Sequence, residues 1–316
     1  MRLFDENTSL YYEIKEDYIV ILETLRNVEK VLIPKEIDGI EVKRIQKKAF
    51  LGCKLLKEIY IPDSVEHIGD YAFSLCDHLK TISFPHKDIK FGQSIFKGDG
   101  EIRNIYVRRQ DIDSETMDSA SYLLGASPIW MNAEYLVDIT QAGTEDWFGR
   151  WDQKLLDILN RKEDEDYHLY VLCGEEDLHF DYDQYIEYIR EQRAGLCMHR
   201  LMHDAKLIDD NRKKYTDYLI RMSSEEYIVE NTVGQLPVRS KNEFGKMPPV
   251  FHYLLSKHGD DKEYFELLIK IGIITKDNRE SLLFQMKDRH PQTKAYLINS
   301  FCDDSDAGDF FDDLLL

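Results

Sequence analysis

The sequence lacks any long hydrophobic run. No stretch approaches the roughly 20 consecutive apolar residues that a membrane-spanning helix requires. The opening MRLFDENTSLYYEIKED has no apolar core behind its basic residue, so no secretory signal is predicted. The chain has only five cysteines and none forms a CxxC pair, which is typical of reduced thiols. We therefore expect a cytoplasmic protein with no membrane partner.

The motifs of common catalytic and cofactor sites are also absent. The chain contains no GxSxG, P-loop or GxGxxG sequence. His199 and His203 lie four residues apart with Cys197 nearby, a spacing that can place two imidazoles on one metal ion. However, Arg200 stands where an HExxH metalloprotease has its glutamate. We therefore predict no catalytic residue, no metal ligand and no cofactor, and expect that the protein is not an enzyme.

Basic residues are scarce in one part of the chain. The sequence has 41 Lys and Arg against 60 Asp and Glu, a formal net charge of −19. Residues 1–110 contain 18 residues of each sign, so the whole net charge falls in residues 111–316. Such a field repels nucleic acid and favours basic partners. We expect a protein partner, of basic character, and no nucleic acid; the alternative is that the charge only supplies solubility.

What the first third of the chain does contain is a repeat of 23 residues. Its recurring positions are Ile45, Ile68 and Phe91; Phe50, Phe73 and Phe96; Leu56, Leu79 and Ile102; Ile59, Ile82 and Ile105; Cys53 and Cys76; Pro62 and Pro85; and Gly69 and Gly92. The LxxIxI part alternates with the strand period, which directs its apolar side chains inward. The glycine is expected to allow a tight turn. Because one unit cannot bury its own apolar face, stacked units are predicted to share one continuous core.

The best-preserved unit, IPDSVEHIGDYAFSLCDHLKTISFP, resembles the BspA-type leucine-rich repeat, whose pattern reads IPxxVxxIGxxAFxxCxxLxxIxIP. The resemblance covers about residues 31–108, with IDGIEV as a longer connector in the first unit. It implies a β-solenoid that binds other molecules rather than catalysing a reaction. The preceding SLYYEIKEDYIVILETL alternates like a β-hairpin and is predicted to cap the open end of the solenoid.

The outward strand positions supply the candidate binding face. Aligning the copies predicts one row of Glu58, Thr81 and Asn104 and a neighbouring row of Tyr60, Ser83 and Tyr106. Exposed tyrosine on a rigid sheet is a frequent binding residue. The alternative is that these are ordinary solvated positions whose cross-strand pairs stabilise the sheet.

Helical spacing replaces the alternation after residue 110. WDQKLLDILNR and DYDQYIEYIREQ, for example, place apolar residues on one helix face. LMHDAKLIDDNRKKYTDYLI and LIKIGIITKDNRESLLFQM align at an offset of 67 residues, about two units of 33 or 34. This offset favours repeated helical hairpins, for which ankyrin-like geometry is one form.

The predicted fold class is α+β. A short leucine-rich-repeat β-solenoid with an N-terminal β-hairpin cap is followed by an all-α, solenoid-like domain of helical hairpins. The predicted boundaries are 1–110 for the repeat domain, 111–302 for the acidic helical domain and 303–316 for an acidic tail. The predicted function is a protein-interaction or scaffold module. Two alternatives stay open: a metal-dependent enzyme that uses His199 and His203, and an acidic, antitoxin-like inhibitor that mimics nucleic acid.

Overall fold

The structure, a computed structural model, describes residues 1–98, 102–109, 113–165, 167, 182–224 and 247–301. The chain divides into two compact units, one of residues 1–159 and 203–207 and the other of residues 160–202 and 208–316. The boundary predicted at residue 110 stays a prediction about domains, while the first compact unit continues to Leu159. The predicted acidic tail, 303–316, lies outside the described residues.

The strands of the first unit form two sheets. One runs β1-β2-β3-β6-β8-β10 with β5 paired to β6, and the other runs β11-β9-β7-β4. Their bounds are β1 (Leu3–Asp5), β2 (Leu10–Lys15), β3 (Tyr18–Thr24), β4 (Lys30–Leu32), β5 (Glu36–Ile37), β6 (Ile40–Ile45), β7 (Glu58–Tyr60), β8 (His67–Ile68), β9 (Thr81–Pro85), β10 (Lys90–Phe91) and β11 (Asn104–Arg108).

Helices follow the strands along the chain. Within the described residues there are eight α-helices: α1 (Ser114–Ile129), α2 (Glu145–Asn160), α3 (Tyr182–Met202), α4 (Asp209–Ser223), α5 (Pro249–Lys257), α6 (Lys262–Lys270), α7 (Lys276–Met286) and α8 (Pro291–Asn299). None of these combines the length and the apolar character that crossing a bilayer demands. The predicted order, a β-solenoid of about four turns and then a helical region, is confirmed.

The 23-residue period is the hydrogen-bonding register of the solenoid. Ile59 pairs with Ile82 and Ile82 with Ile105 in one sheet, always 23 residues apart and always parallel. The first step is longer, since Val31 pairs with Ile59. The reason is the β5–β6 hairpin inserted in the first coil, whose Asp38-Gly39 turn has φ values of 52° and 76°. Both positive φ angles are those of the two-residue hairpin turn that Asp-Gly favours.

The core between the two sheets is a set of side-chain stacks that follow the period. The rings of Phe50, Phe73 and Phe96 lie one above the next, with centroids 5.5 and 5.8 Å apart. Cys53 and Cys76 lie beside them as buried free thiols, and the Cys76 Sγ donates to the Phe50 carbonyl oxygen at 3.0 Å. The cysteines therefore fill the core, as predicted, without a disulfide between the coils.

The repeated glycine has a role different from the predicted one. Neither Gly69 nor Gly92 adopts a positive φ, so neither is required by a left-handed turn. Instead Gly69 packs on the preceding coil, where an added Cβ would lie 2.8 Å from the Lys47 Cα and 2.9 Å from the Gln46 carbonyl carbon. The glycine slot is thus needed for close approach of two backbones. Gln46 occupies the same slot in the first coil because it pairs with Ile21 of the β2–β3 hairpin and not with a coil.

Different elements cover the two ends of the solenoid. At the start, β2 and β3 form the predicted antiparallel hairpin, extended by β1, and β3 pairs in parallel with β6. At the other end, α1 packs against β11. Gly125 lets the helix approach closely, since a Cβ there would lie 2.9 Å from the Arg103 carbonyl carbon. Covered edges of this kind prevent a sheet from pairing with further chains.

The second unit consists of packed helices. α3 contacts α4, α5 and α6, and Gly195 of α3 faces the ring of Tyr253 of α5. α4 and α7 begin 67 residues apart, at equivalent places in the predicted alignment. The hairpin of α5 and α6 begins at Pro248-Pro249 and turns at residues 258–261, also as predicted. Ankyrin-like geometry is not confirmed, and descent of these hairpins from a repeat stays a prediction.

Candidate binding face of the solenoid

The outward face of the four-stranded sheet carries all six predicted residues. Parallel pairing of β7, β9 and β11 places them in two rows. The rows are Glu58, Thr81 and Asn104, and Tyr60, Ser83 and Tyr106. β4 extends the rows by one strand, since Lys30 pairs with Glu58 and Leu32 with Tyr60. The structure therefore brings the predicted residues together; their role in binding stays a prediction.

The second row is the more apolar one. The exposed fractions of Leu32, Tyr60 and Tyr106 are 56%, 38% and 37%, which is unusual for large apolar side chains. Ser83 lies between the two tyrosines and is half-buried. In the first row, Lys30 and Glu58 neutralise each other through an ion pair of 2.8 Å. The face thus presents an uncharged aromatic stripe beside a balanced polar stripe.

The Tyr106 hydroxyl remains a donor at physiological pH. Partial burial, and then the nearby Tyr122 and Asp118 of α1, raise the pKa of Tyr106 above its ordinary value. Because this group ionises only at alkaline pH even without a shift, its phenol is protonated under all ordinary conditions. An exposed tyrosine can then combine apolar contact through the ring with hydrogen bonding through the hydroxyl.

Arg108 is the residue of this face that the sequence did not identify. Its guanidinium lies over the Tyr60 ring, with the Cζ 4.0 Å from the ring centroid. Its Nη1 donates to the Ser83 carbonyl oxygen and Oγ at 3.1 and 2.9 Å. Its Nη2 donates to the Ile61 carbonyl oxygen at 2.6 Å and to Asp63 Oδ1 at 3.0 Å. One side chain of the last coil therefore holds Tyr60 in place two coils earlier.

We expect Arg108→Ala to lower the free energy of unfolding by about 1–2 kcal/mol, because hydrogen bonds to a charged group and a cation–π contact are lost. Arg108→Lys should recover only part of this loss, since an ammonium group cannot reproduce the planar set of donors. Urea denaturation measures both. Arg44→Ala is the matched control, because Arg44 is exposed and forms no ion pair within the described residues. Equal effects of Arg108→Ala and Arg44→Ala would contradict the assigned role of Arg108.

The candidate metal ligands do not form a site. α3 ends at Met202, so His203 lies beyond the helix and the i, i+4 geometry does not apply. His199 is buried, with its Nδ1 3.3 Å from the Tyr264 Oη, while His203 stacks on Tyr122. Cys197 is buried, and burial raises the pKa of its thiol. No group of three or more His, Cys, Asp or Glu side chains in the described part of the chain is placed to hold a metal ion.

Comparison with protein families assigns the repeat. Residues 23–122 match, in six copies, the family described as the BspA type Leucine rich repeat region. The N-terminal part of this chain is therefore a BspA-type leucine-rich-repeat region, as its residues predicted, and it begins and ends further out than the predicted 31–108. No curated protein shows significant similarity to the chain.

Solved structures of leucine-rich-repeat proteins also match. The T. pallidum Leucine Rich Repeat protein is 28% identical over 28% of this chain and 52% of that protein, with a TM-score of 0.24. A leucine rich cell surface protein from Faecalibacterium prausnitzii is 23% identical over 34% of this chain and 32% of that one, with a TM-score of 0.28. A leucine-rich repeat protein from Bacteroides capillosus is 18% identical over 34% and 99%, with a TM-score of 0.27. The matches thus span about half or less of the first two relatives.

Proposed function

We propose that the solenoid is a non-enzymatic protein-binding module, and that its binding face is the four-stranded sheet with the tyrosine row. Leucine-rich-repeat regions generally act as protein-interaction modules. The observation that carries the proposal is the row of exposed Leu32, Tyr60 and Tyr106, held in register by backbone hydrogen bonds. No observation in the described residues favours a metal-dependent enzyme or a mimic of nucleic acid.

Preorganisation supports this assignment. The strands are fixed by parallel pairing, and Tyr60 is further held by Arg108, so binding costs little side-chain entropy. Neighbouring strands lie about 4.8 Å apart, so the row from β4 to β11 spans roughly 14 Å. That width suits one extended segment of a partner protein.

The wider organisation is part of the same proposal. The chain acts as a cytoplasmic scaffold, with the solenoid binding one partner. The helical region supplies a second surface, whose negative charge suits a basic protein. Helical hairpins that repeat in an ankyrin-like manner would provide such a surface by stacking.

The test is loss of a partner on removal of the two tyrosine rings. Full-length protein and the Tyr60→Ala/Tyr106→Ala double variant are used to capture proteins from a lysate of the source cells, with quantification by mass spectrometry. We expect at least one protein to bind the parent chain and to fall roughly tenfold with the variant, as removal of exposed aromatic anchors often produces. Tyr135→Ala is the matched control, since Tyr135 is 61% exposed and lies outside the sheet. Equal recovery by all three proteins would contradict the proposed face.

A further inference from the structure

The other sheet of the solenoid carries a row of basic residues. Arg44 of β6 pairs with His67 of β8, and His67 pairs with Lys90 of β10. Their neighbours along the strands, Ile45 and Ile68, are buried, so the three basic side chains lie on the outward face. Here this row of Arg44, His67 and Lys90 is called the basic ladder. It belongs to a different sheet from the tyrosine row and does not depend on the proposed function.

The cations of the basic ladder are not neutralised. Other basic residues of the solenoid have acidic partners, such as Lys30 with Glu58 at 2.8 Å and Lys47 with Asp70 at 3.6 Å. Within the described residues neither Arg44 nor Lys90 forms an ion pair, although both are exposed. The register therefore holds two like charges on either side of a histidine, an arrangement that costs free energy without a ligand.

The environment of His67 reports this uncompensated positive field. Burial first, and then the charges of Arg44 and Lys90, lower the pKa of His67, against an opposing contribution from Asp70. The imidazole is therefore neutral at physiological pH. An anion bound along the row would favour its protonated form and raise its pKa again.

We propose that the basic ladder binds an acidic, extended polypeptide segment of a partner protein. The three side chains come from successive strands and span about 9.6 Å at the usual strand spacing. A flat row of that length matches a ligand with several anionic groups better than a single small anion. In an extended segment, carboxylates on one face recur about every 6.7 Å, within reach of the long Arg and Lys side chains. Charge complementarity thus identifies the ligand.

Two features argue against nucleic acid as the ligand. The basic ladder includes no aromatic residue on which a base stacks, whereas proteins that bind single strands combine a basic groove with such residues. The chain also has a net charge of −19, which repels a long polyanion more strongly than a short peptide.

The test measures binding of a fluorescein-labelled peptide of alternating Glu and Ser to the full chain by fluorescence anisotropy at about 50 mM NaCl, where charge interactions are weakly screened. Arg44→Glu/Lys90→Glu is expected to weaken binding at least tenfold, because two attractions become repulsions. The matched control is Arg103→Glu/Lys97→Glu, which makes the same change of charge at exposed residues outside the basic ladder. The control should retain the affinity to within about twofold.

Further measurements distinguish binding at the basic ladder from binding elsewhere on the chain. Binding should raise the pKa of His67 in an NMR titration, and the Tyr60→Ala/Tyr106→Ala variant should bind the peptide normally. Circular dichroism verifies that each variant is folded. Equal weakening by both charge-reversed variants would overturn the proposal. So would equal binding of a Gln-Ser peptide, or equally tight binding of an RNA of the same charge.

Discussion

Phe73→Ala is expected to lower the free energy of unfolding of the solenoid by about 3–5 kcal/mol, the range for removing a fully buried phenylalanine. Phe73 has no exposed surface, and its ring stacks between Phe50 and Phe96. The neighbouring coils cannot collapse into the cavity, because backbone hydrogen bonds such as Phe50 N to the Ala72 carbonyl oxygen fix their separation. The loss should therefore include a cavity contribution and not only lost burial.

Urea denaturation measures this loss, followed by far-UV circular dichroism and by tryptophan fluorescence. All three tryptophans lie in residues 1–159, so their fluorescence reports the first unit. Tyr135→Ala serves as the control, since it removes a ring of similar size that is 61% exposed. A control effect above about 0.5 kcal/mol is not expected for a surface site. A Phe73→Ala effect below about 1 kcal/mol, far under the range for a buried ring, would show that the stacked rings do not stabilise the solenoid.

Gly69→Ala is expected to destabilise the same unit by about 3 kcal/mol, at the upper end of the usual range for overpacking. The added methyl group would lie 2.8 Å from the Lys47 Cα and 2.9 Å from the Gln46 carbonyl carbon. Both are backbone atoms and cannot rotate away as a side chain can. The two coils must therefore separate, which weakens the bond from Gly69 N to the Ile45 carbonyl oxygen.

The same substitution at Gly149 should have the opposite sign. Gly149 lies within α2, and a Cβ there would meet no atom within 4 Å. Gly149→Ala should therefore stabilise by about 0.5–1 kcal/mol, because alanine loses less backbone entropy in a helix. The pair of variants is compared by urea denaturation of the first unit. A stabilising Gly69→Ala, or two effects of the same sign, would contradict the close packing of coils.

Much of the solenoid could be predicted from the chain because its structure repeats with its sequence. The 23-residue spacing of Ile59, Ile82 and Ile105 is also their pairing register, since parallel strands in successive coils align equivalent residues. The same logic placed the six residues of the tyrosine face in their two rows. The basic ladder has the same spacing, but attention to apolar positions overlooks charged residues between them. The glycine was recognised as special, yet only the distances to Lys47 and Gln46 show why.

Features that depend on side chains from distant coils could not be predicted. Arg108 reaches residues 25, 45 and 47 positions earlier, and nothing in the local sequence distinguishes it from Arg109. The spacing of His199 and His203 suggested a metal site only if one helix continued through both, and α3 ends between them. Helix ends depend on capping and packing, which sequence spacing does not encode.

The sequence by itself determined the period, the apolar stacks and the residues that share a row, because each is a local alternation repeated along the chain. Only the tertiary structure decided how the coils approach, which side chain holds Tyr60, and how α1 covers the last strand. These depend on contacts between residues far apart in sequence, which form only after the coils stack. The opposite character of the two outward faces, one with a tyrosine row and one with a basic ladder, follows from that stacking as well.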